Sequence, residues 1–314
     1  MSRAFVVSYA RSDAEYAMRL AHHLRVHDLS VWIDADIRWG TSFTRAINSH
    51  IRQALAILVV MSPEAEKSEW VEREILEGQR SDRQFLPILL RGDRFFLLAA
   101  THYFDARGDR LPGRAEVEQL RELSEKALTG ANDAPTIVLP QAPADDLVRT
   151  PASGAALRRI EAHLAGGETA HADILTTALL LDSVGRLSHG WLRQDDGDAL
   201  PRALLDEVDA LWARHSSGGF GFRAQARWRV SRPPDAGDEL TVRDFSRMAT
   251  ALGWRTGGGA TPRYGLFVER GQGRPGFFPT LRNPQLERYP SWHDQWMRTV
   301  LAVHRHLPAG GARW

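Results

Sequence analysis

The sequence predicts an α/β unit built on a parallel sheet, followed by a separate, mainly α-helical unit. Over about the first 105 residues, short apolar runs alternate with helical patterns, and strict strand–helix alternation implies parallel strands with helices on both faces. From residue 131 to 154 the composition changes to a linker type, with Pro135, Pro140, Pro143 and Pro151. Beyond it the strand signals fade, and the seven tryptophans that follow Trp70 all lie past residue 190. A chain of 314 residues suits two cores better than one, since single cores stop growing near 250–300 residues. The expected boundaries are therefore 1–130, a linker at 131–154, and 155–314.

Each element has its own signal. Phe5-Val6-Val7-Ser8-Tyr9 reads as a strand. Ser12 and Glu15 have capping-box spacing, and Tyr16, Leu20 and Leu24 then share one helical face. Val31-Trp32-Ile33-Asp34 is a second strand, and after a loop holding Trp39 and Gly40, the residues Phe43, Ile47 and Ile51 mark a helix. Ala56 to Met61 is a continuous apolar run of the kind buried on both faces. A helix over about 65–79, a strand at Phe85–Leu90, a short strand at His102–Phe104 and a polar helix near 115–128 complete the unit. In the linker, Thr136–Leu139 reads as a short extended piece. The second unit shows helical spacing at Leu157, Ile160 and Leu164, and again over 171–187, 204–215, 242–252 and 292–307.

Bulk composition narrows the function classes. Hydrophobic residues make up 43% and charged residues 25%, ordinary for a globular chain. Net charge is +1, which offers no field for nucleic acid or anionic lipid. With no cysteine, disulfides, thiolate metal sites and cysteine nucleophiles are excluded. The apolar runs are of strand length and the N-terminal run is too short for a signal peptide, so no membrane span and a cytoplasmic location are expected. The histidines, including His293, His304 and His306, show no metal-ligand spacing, and no metal is expected. In open parallel sheets ligands bind beyond the carboxyl ends of the strands, which directs attention to Ser8–Asp13, Asp34–Thr41 and Ser62–Glu74.

Four pieces in order give the first unit a family resemblance. Phe5–Asp13 looks like an opening strand and turn, and Val31–Asp34 leads into a loop ending at Gly40. Leu58-Val59-Val60-Met61-Ser62-Pro63 is the third piece, and Ser68-Glu69-Trp70-Val71-Glu72-Arg73-Glu74 is the fourth. Together they resemble Toll/interleukin-1 receptor (TIR) domains over about residues 3–128. The resemblance implies a flavodoxin-like, five-stranded parallel sheet. It also implies self-association through TIR domains, partly through the loop holding Trp39 and Gly40.

Many TIR domains cleave NAD+ at the nicotinamide–ribose bond, and others only scaffold. In the enzymatic members a glutamate stands four residues after the tryptophan, which places the catalytic role on Glu74 here. The chemistry suits a single carboxylate. Nicotinamide leaves as a neutral base, so no general acid is needed, and what must be stabilised is an oxocarbenium-like ribose. Trp70 and Glu74 are i,i+4 and share a helix face, whereas Glu72 lies roughly 160–200° away. An ordinary surface pairing with Arg73 or Arg80 is the alternative for Glu74. Ser8, Tyr9 and Arg11 at the end of the first strand can line the site; Arg11 suits a pyrophosphate or a solvated turn. Asp34 serves substrate contact or anchors the following loop, and Trp39 serves adenine stacking or domain contact. Ser62 reads as a strand-end hydrogen bonder. The chain has neither Gly-x-Gly-x-x-Gly after the first strand nor a P-loop, so NAD+ enters as a substrate to be cut, and no cofactor is required.

The segment Val208–Gln225, with Asp209-Ala210-Leu211-Trp212 and Ser217-Gly218-Gly219-Phe220-Gly221-Phe222-Arg223-Ala224-Gln225, resembles the signature of the genomes-uncoupled-four family. Ala172-Asp173, Gly190-Trp191-Leu192, Leu252-Gly253-Trp254-Arg255 and Gly276-Phe277-Phe278-Pro279 follow the same pattern. Members are helical proteins that bind porphyrins, which implies a tetrapyrrole as a ligand. The chain departs from the pattern at Arg223-Ala224 and Phe277-Phe278. A tetrapyrrole needs flat apolar walls and cations for its propionates: Phe222, Trp254, Phe277 and Phe278 are the candidate walls, with Arg223, Arg255 and Arg282 as clamps. The alternative is that Phe220, Phe222, Trp212 and Trp228 form core. The combined expectation is a TIR NAD+ glycohydrolase, with cyclisation as a side reaction, controlled by a C-terminal sensor whose trigger is unknown. Bacterial antiviral defence is the setting the resemblance implies. A non-catalytic TIR adaptor is the rival, and a tetrapyrrole-binding regulatory module is the third reading.

Overall fold

A computed structural model describes residues 4–34, 43–129, 153–227, 240–255 and 261–305. Linker residues 131–152, with Thr136–Leu139, and Trp39, Gly40, Trp228, His306 and Trp314 lie outside these residues, while Ser153 and Gly154, expected in the linker, open a helix. The chain divides into two compact units, Met1–Thr150 and Pro151–Trp314.

The first unit runs β1 (Phe5–Ser8), α1 (Ala14–Val26), β2 (Val31–Ile33), α2 (Phe43–Gln53), β3 (Ala56–Met61), α3 (Pro63–Glu66), α4 (Glu69–Arg80), β4 (Gln84–Leu89), β5 (Phe104–Asp105) and α5 (Arg114–Thr129). All neighbouring strands pair in parallel, in the order β2-β1-β3-β4-β5. The chain leaves β1 for one side of the sheet and returns to the other at β3, so the topological switch point lies between them. Every residue of β1 and β3 is buried, as expected of strands covered on both faces.

One face packs Phe5, Val7, Leu58, Val60 and Ile88 against Tyr16, Leu20 and Leu24 of α1 and Val117 and Leu120 of α5. Each fully buried leucine contributes about 1.5–3 kcal/mol by leaving water. On the other face α4 lies close to the strands at Gly78. A methyl group there would come within 2.5 Å of Ile57 Cδ1 and 2.7 Å of Phe85 Cζ.

Local details differ from the sequence expectation in two places. The first helix is entered through a 3₁₀ turn at Arg11–Asp13, and Asp13 rather than Ser12 is its N-cap residue, without a side-chain capping bond. The Asp13 carboxylate is instead turned inward. The helix expected over 65–79 is two helices. Ser62 caps α3 through Ala65 N at 3.0 Å, and Ser68 caps α4 through Val71 N at 3.4 Å. Two hydroxyl caps so close together each favour a helix start, and the chain takes both.

The second unit comprises α6 (Ser153–Ala165), α7 (Thr169–Ser183), α8 (Arg202–Arg214), α9 (Phe222–Ala226), α10 (Val242–Ala251), α11 (Tyr264–Gly271) and α12 (Trp292–Arg305). α7 is buried continuously from His171 to Leu181, the pattern of a helix enclosed on all sides. The short helices α9 and α11 carried no clear periodic signal, because too few turns repeat. Among the described residues, no helix is long and apolar enough to cross a membrane.

Candidate functional site

At the carboxyl end of β1 two adjacent residues make two side-chain pairs. Ser8, fully buried, donates from Oγ to Glu74 Oε2 at 2.5 Å. Tyr9 donates from its hydroxyl to Asp34 Oδ1. Strand β1 supplies Ser8 and Tyr9, the residue after β2 supplies Asp34, and the second turn of α4 supplies Glu74. Neither Arg73 nor Arg80 pairs with Glu74; Arg80 instead joins Arg52 around Glu77, at 3.4 and 2.5 Å.

Burial raises the Glu74 pKa to about 7, the Ser8 hydrogen bond opposes that rise, and the charge of Asp34 adds to it. A carboxyl group titrating near neutrality is poised to change charge in response to what binds beside it. Burial, followed by the bond to Asp34, holds the Tyr9 hydroxyl well above the ordinary phenol range, so it remains a donor.

The other expected residues spread outward. Arg11 is solvent-exposed, two residues after Tyr9, whose ionised form its charge favours. Trp70 lies one helical turn before Glu74 and is 47% exposed. A neighbouring network was not anticipated. Buried Asp13 accepts from Ser62 Oγ at 2.5 Å and from Arg91 Nη2 at 2.5 Å, and Arg91 also reaches Glu64 at 3.3 Å. This clip ties the turn after β1 to the segments after β3 and β4. The available signal was positional: an aspartate and an arginine that each follow a strand at its carboxyl end.

In the second unit the expected wall residues are packed as core. Phe222, Trp254, Phe277 and Phe278 are all at most 2% exposed. Phe278 stacks on Trp212 at 5.7 Å and meets Phe277 at 5.0 Å and Phe220 at 5.3 Å. Phe277 also meets Phe267 at 4.9 Å, and Trp254 meets Trp296 at 5.5 Å. These rings face one another, so presenting them to a flat ligand requires repacking. Arg282, expected as a clamp, is enclosed. It pairs with Glu287 at 2.6 Å, and its guanidinium lies 4.5 Å over both Phe267 and Trp292. Arg255 and Arg223 are exposed, and Arg223 pairs with Asp206 at 2.9 Å.

The signature segment builds the fold. Arg223 N donates to Asp209 Oδ1 at 2.9 Å, Gly221 N to Phe278 O at 2.9 Å, and Gln225 Nε2 to Pro279 O at 2.6 Å. Asp173, the centre of this unit, accepts from Thr280 N and Thr280 Oγ1, both at 2.6 Å, and from Tyr264 at 2.7 Å.

The TIR domain family model matches residues 5–124, the unit that carries the parallel sheet. The GUN4-like family model matches residues 151–312, more than half of the chain. The chain belongs to the GUN4-like family, as a fusion of a TIR domain with a GUN4-like domain.

Among solved structures, the TIR domain of the Toll-related receptor TRR-2 from Hydra magnipapillata is 22% identical. That match covers 40% of this chain and 95% of that one, with a TM-score of 0.30. The ligand-free structure of Arabidopsis thaliana GUN4 is 18% identical, covering 52% of this chain and 100% of that one, with a TM-score of 0.37. No curated protein matches the chain.

Proposed function

We propose that the TIR domain hydrolyses NAD+ to nicotinamide and ADP-ribose, with Glu74 as the catalytic carboxylate. The observation that supports this most is the Ser8–Glu74 pair at the carboxyl end of β1, beside the switch point where open α/β sheets take their ligands. The bond between ribose C1′ and the nicotinamide nitrogen breaks, and its electron pair neutralises the departing ring. The oxocarbenium-like ribose faces the Glu74 carboxylate, whose negative charge stabilises it more than the ground state. Water adds to C1′ and a proton is released; an internal nucleophile in place of water gives a cyclic product. In this reading Ser8, Tyr9 and Asp34 hold the site's polar frame, Arg11 meets the pyrophosphate, and Trp39, Gly40 and Trp70 contact the substrate. The GUN4-like domain senses a trigger, and assembly of TIR domains follows. Depletion of NAD+ on such a trigger suits a defence protein.

The test is nicotinamide release by the full-length protein with NAD+, run on dilute and on concentrated or crowded samples. Glu74→Gln is expected to lower the rate roughly 10²–10³-fold. Because the ionised carboxylate is the working form, kcat/KM should rise with pH through about 7, the value to which burial brings Glu74, and then level off. The cationic nicotinamide ring favours the ionised form, so the limb in kcat should lie at lower pH. Equal rates for wild type and Glu74→Gln sink the assignment. Wild-type protein silent under every condition leaves the adaptor reading, for which the exposed Trp70 is a ready contact.

A further inference from the structure

The corner between α6 and α7 brings three potential ligands together: His163, Glu168 and His171, whose donor atoms all lie within 4.8 Å of one another. The turn that does this is specific. Gly167 N bonds Leu164 O at 3.1 Å and Glu168 N bonds His163 O at 2.8 Å. With Gly167 at φ +72°, this is the Schellman pattern that ends a helix. It folds Glu168 back beside His163 in the last turn of α6. The chain enters α7 at once, Glu168 being its N-cap residue, and the first turn of α7 delivers His171.

Nδ1 of His163 lies 2.6 Å from Glu168 Oε2, and Nδ1 of His171 lies 3.8 Å from the same oxygen. The two rings meet edge to face at 5.3 Å. In a tetrahedral zinc site with bonds of about 2.0–2.1 Å, neighbouring ligand atoms stand about 3.3 Å apart. The two observed separations bracket that value, and an ion in place of the shared proton would widen the shorter one.

We propose that His163, Glu168 and His171 bind one divalent zinc-type ion per chain. Two imidazole nitrogens and a carboxylate oxygen suit zinc better than calcium or magnesium, which prefer all-oxygen shells. The histidine side chains are 6% and 11% exposed and that of Glu168 is 30% exposed, so the ion enters on the glutamate side and keeps water as its fourth ligand. The ion would staple the α6–α7 corner in the same unit that the TIR-domain chemistry does not use. The proposal stands whether or not the protein cleaves NAD+.

The experiment is titration of untagged, chelator-treated full-length protein with Zn²⁺ alone, by calorimetry and by thermal unfolding, with Co²⁺ as a visible-absorption probe of tetrahedral geometry. One equivalent should bind, Tm should rise, and Co²⁺ should give visible ligand-field bands. His171→Ala and Glu168→Gln should each weaken binding at least 10-fold, while exposed His189→Ala leaves it unchanged. Should His171→Ala fail to fold, the more exposed Glu168→Gln carries the comparison. Absence of a one-to-one complex overturns the proposal, and so does unchanged affinity in the folded variants.

Discussion

Each unit holds a helical carboxylate whose pKa burial pushes up strongly, half-buried Glu74 and fully buried Asp173, and the two are served very differently. Asp173 in the GUN4-like domain accepts three hydrogen bonds, from Tyr264, Thr280 N and Thr280 Oγ1. Among the described residues Glu74 in the TIR domain has one hydrogen-bond donor, Ser8. Burial raises both groups, Asp173 to about 6 and Glu74 to about 7. The difference lies in what the fold does with them. A carboxylate with its lone pairs taken by tightly held donors organises a core, whereas one with acceptor capacity to spare carries a desolvation cost that a proton relieves or a cationic ligand offsets. Perturbed titration alone would have treated the two alike; the donor count separates them.

That contrast can be broken by mutation. Asp173→Ala strips the hub and leaves Thr280 N without its partner in the interior. A loss of about 3–5 kcal/mol is expected from removing one member of a buried network, read as a lower denaturation midpoint of the GUN4-like domain. Glu74→Gln should act in the opposite direction. Its folded pKa is raised, so the stability it contributes is present below the unfolded value near 4.3 and is lost as pH rises through about 7. Removing the charge should therefore stabilise the TIR domain by ~3 kcal/mol at pH 8 and leave it unchanged at pH 4. Denaturant melts at the two pH values check this, and a destabilised Glu74→Gln at pH 8 would place Glu74 with Asp173 as a structural group. The smallest effect belongs to Ser8→Ala. The Ser8 hydroxyl favours ionised Glu74, so its loss should move the acidic limb of the pH–rate profile upward while the high-pH plateau changes little.

The α/β order of the first unit was legible because long apolar periods dominate it. The strand Ala56–Met61 ends where the apolar run of the sequence ends, before Ser62. That Glu74 stands one turn after Trp70 on the same helix was legible from their i,i+4 spacing. What escaped was local competition: Ser62 and Ser68 both cap, splitting one expected helix, and the Asp13 side chain gives up a helix start for Ser62 and Arg91. In the second unit Phe277 and Phe278 could be recognised as important without their burial being readable, since a ligand wall and a core ring have the same composition. His163, Glu168 and His171 escaped for a geometric reason. They straddle the break between α6 and α7, and the turn at Gly167 that brings them together is not fixed by their spacing.

Gly78 carries a consequence for the whole reading. It sits one turn beyond Glu74 on α4, and its bare Cα lets the helix rest against Ile57 and Phe85. A single added carbon would act as a shim under the helix: the rod must lift or slide, and the acid one turn away moves with it. Ångström-scale displacement of a reacting group costs on the order of 100-fold in rate. The absence of one methyl group thus sets how closely α4, and Glu74 with it, rests on the sheet.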